Sequence, residues 1–305
     1  MWHQFPRESG FSCAEFRLEK GHYRRPSGLV IPERQYYLEI ALDDLAPAAI
    51  LDGLHTDLLG RQVVYYRRLD STNSAAKALA QQKATEGTLV IAEEQTLGRG
   101  RLGRRWLAPP GTSLLFSLIF RPNLEVRLVQ GLTMICGLGV REGIRETTGL
   151  PAQLKWPNDV MLGGRKAGGI LTEVSAIGGR LDYAVVGIGL NVNLQVSMLP
   201  AEFNATSIAH ELGRSIRRVS LLQRILVHIE ERYHALQAGK WPVTDWASAL
   251  ETLGQRIRLY TTQGLWQGLA EAVDNEGALL LRLDDGQLRR VLVGDIVSQH
   301  TVKML

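Results

Sequence analysis

The hydrophobic positions of this chain follow two regimes that meet near Leu253–Gly254. Upstream, apolar residues recur at helical spacing over residues 48–59, 74–82, 127–147, 206–212 and 221–236. Between these segments lie short apolar or alternating runs that predict strands over 63–66, 88–92, 113–120, 152–156, 160–162, 168–174 and 183–194. Gly60 is placed to end the first helix, and Ser71 or Thr72 to cap the second with a hydroxyl. Gly131, Gly137, Gly139 and Gly143 weaken the long helix, so their expected use is close packing against the sheet. Gly163–Gly164 separates two strand runs, and glycine takes the positive φ of a tight hairpin at little cost. Strands joined by hairpins, with helices grouped between them, predict an α+β layered fold.

Downstream, alternating runs over 256–260, 265–273, 278–283 and 287–293 are separated by Gly264, Asn275–Glu276–Gly277 and Asp284–Asp285–Gly286. That pattern predicts a small β-barrel. Before Pro47 the chain reads differently. Pro6, Pro26 and Pro32 interrupt any helix, and only residues 36–42 suggest a strand. The expected organisation is an extension over 1–45, a larger α+β domain over 46–252 and a C-terminal barrel over 253–305.

The chain has 305 residues, 45% of them hydrophobic and 22% charged, which is ample for a buried core. A net charge of +4 does not by itself point to nucleic acid. Basic residues cluster at Arg24–Arg25, at 99–105 and at 214–218, and the first and last clusters read as solvated faces. Cys13 and Cys136 form no disulfide or metal pattern, and Cys136 lies in an apolar helical run as a packed thiol. The seven histidines lack metal-ligand spacing. No apolar run reaches membrane-spanning length, and the N-terminus lacks a signal-peptide core. A cytoplasmic protein without membrane or nucleic-acid partners is expected.

Four segments carry candidate chemistry. Residues 98–106, Gly-Arg-Gly-Arg-Leu-Gly-Arg-Arg-Trp, join glycines that admit a ligand to guanidinium groups that match phosphate oxygens. Placed between two buried strands, this segment suits a lid over polyphosphate better than an RNA-binding tail. Lys155–Trp156–Pro157–Asn158–Asp159 offers a positive charge for phosphate and an oxygen for Mg²⁺, or else a simple strand-end turn. Lys166 is flanked by glycines on a hairpin that can reach a site or is simply a glycine-rich turn, and residues 187–193 form a strand whose glycines either leave room for a ligand or serve packing alone. The usual phosphate loop of NTPases is absent.

Taken in order, Ser71–Thr72–Asn73, Gln95, the 98–104 segment, Lys155–Asp159, Lys166–Ile170 and Gly187–Asn193 closely resemble the biotin protein ligase family. The resemblance implies a mixed-sheet catalytic domain and an SH3-like C-terminal barrel. It implies an enzyme that makes biotinyl-5′-AMP from biotin and ATP with Mg²⁺, then biotinylates a lysine of a biotin carboxyl carrier protein. Under it, Ser71, Thr72, Asn73, Gln95, Gly98, Arg99, Arg101, Lys166 and Gly169 bind biotin. Arg99, Arg101, Arg104, Trp106, Lys155, Asn158, Lys166 and Asn191 serve the nucleotide. Lys166, Asp159 and Arg101 act in catalysis, with Asp159 as the metal ligand. The first 45 residues are too short and proline-rich for the family's DNA-binding module, so a ligase without repressor function is expected, with homodimerisation through sheet edges an option. A lipoate–protein ligase and a nucleic-acid-binding protein are the competing readings.

Overall fold

The computed structural model describes residues 22–24, 30–32, 45–198 and 203–297. The chain divides into two compact units, 1–44 and 45–305. In the first, β1 (His22–Arg24) pairs antiparallel with β2 (Val30–Pro32). The strand expected over 36–42 and Cys13 lie outside the described residues.

The second unit is built on a seven-stranded sheet. Its strands are β3 (Val63–Leu69), β4 (Leu89–Gln95), β5 (Ser113–Phe120), β6 (Gln153–Lys155), β7 (Asp159–Leu162), β8 (Arg165–Ile177) and β9 (Arg180–Asn191). Their spatial order is β3-β4-β5-β9-β8-β7-β6. β3 and β4 run parallel, as expected when a helix crosses between them, and every other neighbouring pair is antiparallel. The helices are α1 (Pro47–Leu51), α2 (Thr72–Gln81), α3 (Gln130–Thr148), α4 (Ile208–Leu212), α5 (Arg218–Gln237) and α6 (Val243–Ala249). The mixed α+β class follows the pattern of the sequence.

Side chains alternate across a strand, and that alternation gives the sheet two unlike faces. On one, Leu114, Phe116, Leu118 and Phe120 of β5 join Val186, Ile188 and Leu190 of β9 in a dry core with α3 and α5. On the other, α2 covers only a small cluster of Ala76, Ala80, Val90, Ile119, Tyr183 and Val185. α3 and α5 approach closely because α3 carries glycines. A methyl group at Gly139 would lie 2.5 Å from Ile229 Cγ1, and one at Gly143 would lie 2.6 Å from Ile225 Cγ1. These two glycines serve helix–helix contact, whereas the sequence suggested the sheet. Gly137 alone of the four sits against sheet residues, Leu154 and Ile170.

Three local expectations are corrected. The first helix stops at Leu51 rather than residue 59. Gly53 turns the chain at φ +83°, and the amides of Asp57, Leu58 and Leu59 donate to the buried Glu230 carboxylate instead of to helical carbonyls. Ser71 occupies the N-cap of α2 but makes no capping bond. Arg218 does not belong to a solvated cluster: it is 3% exposed, pairs with Glu93 at 2.8 Å and donates to the Ser113 carbonyl. Cys136 is buried as expected, and burial pushes its thiol pKa up.

The C-terminal sheet comprises β10 (Arg256–Thr261), β11 (Gly264–Val273), β12 (Leu279–Leu283), β13 (Leu288–Val291) and β14 (Asp295–Val297), in the order β13-β12-β11-β10-β14, all antiparallel. Helix α6 and strand β14 were missed in the sequence, each being short. Ile257, Leu259, Ala270, Leu279 and Leu281 join the same apolar cluster as α3 and α5. Buried Trp156 links the two sheets further, its amide donating to Thr252 Oγ1 and its indole to the Gly277 carbonyl, both at 3.0 Å.

Candidate active site

The thinly covered face of the sheet carries a trough cut by small residues. In the ladder, Leu115 pairs with Gly189 and Gly189 with Gly169; Ser117 pairs with Gly187 and Gly187 with Leu171. All share one side of the sheet by alternation. The glycines are required by what lies over them. A methyl group at Gly189 would fall 2.7 Å from the Trp106 indole, and one at Gly187 would fall 2.0 Å from Asn73 Oδ1. Trp106 therefore roofs one end of the trough and Asn73 walls the other.

At the Asn73 end the polar groups form a continuous chain. The Thr72 amide and hydroxyl donate to Gln95 Oε1 at 2.7 and 3.1 Å. The Ser117 hydroxyl lies 2.9 Å from Thr72 Oγ1 and 2.7 Å from Asn73 Oδ1. The Asn73 amide group donates to Glu173 Oε2 at 2.8 Å and to the Leu171 carbonyl at 3.2 Å. Lys77 donates to Glu173 Oε1 at 3.0 Å. Ser71, Thr72 and Asn73 are all buried, at the start of α2.

At the Trp106 end the groups are ionic. Lys166 Nζ lies 2.5 Å from Asp159 Oδ1 and 6.0 Å from the Trp106 ring centroid, a cation over an aromatic face. Among the described residues, the buried polar atoms without a hydrogen-bond partner are Thr147 Oγ1 on α3 and, at this end of the trough, the Trp106 Nε1 donor and the Asn191 Oδ1 acceptor. Burying a polar group unpaired is costly, so this donor and this acceptor are arranged for something other than the fold. Asn191 is itself held by donation to the Thr206 carbonyl. Lys155 faces Asp159 across the β6–β7 hairpin. Burial raises the Glu251 pKa, with the Asp159 charge acting in the same direction and Lys155 opposing it.

The arginine–glycine segment between β4 and β5 closes on itself. Trp106 N donates to the Gly98 carbonyl at 2.9 Å and Gly100 N to the Arg104 carbonyl at 2.7 Å, with Leu102 and Gly103 turning at positive φ. Its arginines are tied to both sheets. Arg99 donates to Ser74 Oγ at 3.0 Å and lies 3.4 Å from Glu173. Arg101 reaches Asn158 Oδ1 and the Gly294 carbonyl, each at 3.4 Å, and Asp295 at 3.6 Å. Arg104 pairs with Asp295 at 2.8 Å while staying largely exposed. Burial lowers the Arg101 pKa against the opposing pull of Asp295 and Asp159, and an arginine stays charged regardless.

The structure thus gathers Thr72, Asn73, Gln95, Gly98, Arg99, Trp106, Lys166 and Gly169 around one trough, with Asp159, Asn158, Lys155 and Asn191 at its ionic end. Arg104 is turned toward the C-terminal sheet. Asn158 also braces the fold, donating to the Ile170 carbonyl at 2.6 Å. Ser117, Glu173, Lys77, Glu251 and Asp295 were not singled out in the sequence. Ser117 could have been, as a serine inside the apolar run Leu114–Phe120. Asp295, almost two hundred residues from Arg101, gives no local signal.

Comparison with known proteins identifies the family. Residues 65–191 match the Biotin/lipoate A/B protein ligase family, and residues 252–297 match the Biotin protein ligase C terminal domain. The bifunctional ligase/repressor BirA of Bacillus subtilis is 37% identical over 256 residues, covering 83% of this chain and 78% of that protein. The biotin–[acetyl-CoA-carboxylase] ligase of Mycobacterium tuberculosis is 31% identical, covering 84% and 97%. Among solved structures, the biotin protein ligase of Aquifex aeolicus in complex with biotin and ATP superposes with a TM-score of 0.66 at 30% identity, covering 78% of this chain and 98% of that one. The trough, the cationic segment above it and these relatives together place the chain in the biotin protein ligase family.

Proposed function

We propose that this chain activates biotin with ATP and transfers it to a lysine of a biotin carboxyl carrier protein, the acetyl-CoA carboxylase type of acceptor that relatives' names specify. The observation that carries this reading is the trough itself: a neutral polar wall at one end suits a ureido ring, and Lys166 at the other suits an anionic tail beside a phosphate. The catalytic lobe spans 46–252 and the C-terminal lobe 253–305.

In the first step a carboxylate oxygen of biotin attacks the α-phosphorus of ATP, and pyrophosphate leaves. Both reactants are anionic, so the site must offset their repulsion. Lys166, held by Asp159, sits between the two anions in this reading, and Arg99, Arg101 and Lys155 add positive charge fixed in advance by the fold. Among the described residues no group of three or more acidic, histidine or cysteine side chains gathers to hold a metal. Asp159 fits a Mg²⁺ that arrives with ATP, since that ion commonly takes one or two protein carboxylates and completes its shell with phosphates and water. Bound there, it would draw charge from the phosphate oxygens. The Trp106 indole N–H and Asn191 Oδ1 find partners on the nucleotide.

In the second step the neutral amine of the acceptor lysine attacks the biotinyl carbonyl, AMP leaves, and Asp159 accepts the proton released. The closed arginine–glycine segment keeps water from the mixed anhydride meanwhile. The work belongs in the cytoplasm, where ATP is available, and no described helix is long and apolar enough to cross a membrane. Incubation with ATP, biotin, Mg²⁺ and a carrier domain tests the reading. Intact mass should show one biotinyl group added to the acceptor, and an unmodified acceptor would overturn the assignment.

A further inference from the structure

We infer that Glu173 is a positioning residue for the biotin-ring end of the trough. This rests on the placement of biotin proposed above. The side chain projects from β8 onto the trough face, opposite Val185 of β9. It touches α2 at two points and the arginine–glycine segment at a third. Oε1 accepts from Lys77 of α2 at 3.0 Å, and Oε2 accepts from Asn73 at 2.8 Å and faces Arg99 of the arginine–glycine segment at 3.4 Å.

A carboxylate is acceptor-only, whereas the Asn73 amide has one end of each kind. Glu173 and the Leu171 carbonyl both accept, so they hold the Asn73 nitrogen toward β8 and leave Oδ1 facing Ser117. Asn73 Oδ1 can only accept. The Ser117 hydroxyl must therefore spend its single proton there, at 2.7 Å, and present lone pairs elsewhere. Thr72 N–H fixes Gln95 in the same way, its oxygen inward and its amino group turned toward the Gly98 side. The orientation of Asn73 and of the Ser117 hydroxyl is thus set from the Glu173 end, and that of Gln95 from the Thr72 backbone.

The charge is stable in place. Burial works to raise its pKa, but hydrogen bonds from Asn73 and Lys77 and the charges of Arg99 and Lys77 outweigh it and leave the carboxyl below its usual range. Glu173 also binds the wall to the arginine–glycine segment, because the same oxygen faces Asn73 and Arg99.

The test uses the full chain in biotin-dependent pyrophosphate exchange, with thermal melting alongside. Glu173→Gln keeps the size and removes the acceptor-only charge. The biotin KM should rise about tenfold or more, the scale of one charge-assisted hydrogen bond, while the ATP KM, kcat and melting temperature stay close to wild type. Glu173→Asp, which keeps the charge one methylene shorter, should recover part of the biotin affinity. Two results overturn the inference: an unchanged biotin KM in Glu173→Gln, or a parallel loss of kcat, both KM values and stability in both variants, which marks a merely structural residue. Absence of biotin-dependent exchange in the wild-type chain would instead sink the function proposed for the site.

Discussion

The two faces of the seven-stranded sheet use the same strands and the same backbone ladders for opposite purposes. Toward α3 and α5, β5 and β9 present Leu, Phe, Val and Ile in a dry core. One residue along, they present Ser117, Gly187, Gly189 and Asn191, small or polar, beneath Trp106 and Asn73. The core face shows dense apolar packing around the sheet; the trough face brings a buried unpaired donor, Trp106 Nε1, and a buried unpaired acceptor, Asn191 Oδ1, to one end. The comparison teaches that a site can be cut into a sheet at the cost of one face only, because strand periodicity insulates the other.

Substitutions on the two faces should then separate activity from stability. The largest activity effect is expected from Lys166→Ala, with biotin-dependent pyrophosphate exchange falling by ~10³-fold, as when a preorganised charge at a reacting centre is lost. Its melting temperature should stay near wild type, since Lys166 is about one-third exposed. Near-normal exchange would break the assignment of the ionic end. Next comes Gly189→Ala, whose methyl group displaces Trp106. Exchange should drop by ~10²-fold, the scale for misplacing a reactive group by about an ångström, with little change in melting. A fully active variant would show that Trp106 is no roof.

A smaller effect is expected from Asp295→Ala. Its pair with exposed Arg104 is worth at most about 1 kcal/mol, so release of the adenylate should quicken by no more than about fivefold, read as stray biotinylation of bystander proteins. Equal retention of the adenylate would remove the C-terminal sheet from the closure of the segment. On the core face, Phe116→Ala should leave exchange per folded molecule unchanged while destabilising the chain by about 3–5 kcal/mol in denaturant unfolding. Gly139→Ala, which presses on Ile229, should behave likewise at about 1–3 kcal/mol. A kinetic defect in either would mean that the faces are coupled.

Much of this was legible in the sequence for physical reasons that can be named. β5 lies over the very residues that its apolar run marks, because that run, flanked by Gly111 and Pro122, is too short for a buried helix. The arginine–glycine segment stood out because four guanidinium groups and three glycines fall within nine residues between two buried strands. The helix expected to reach residue 59 failed because a distant carboxylate, Glu230, offered its amides better partners than a further turn would. Glu173 and Asp295 stayed hidden for a similar reason. Each is an ordinary acidic residue until the fold brings an arginine to it.

The indole of Trp156, bonded to a carbonyl of the C-terminal sheet and set in an apolar cluster common to both lobes, has a consequence for how the molecule comes apart. The second lobe is no appendage that melts by itself. Calorimetry of residues 45–305 should record a single cooperative transition, and shortening the chain at residue 252 should strip a tryptophan bare and leave a product prone to aggregate.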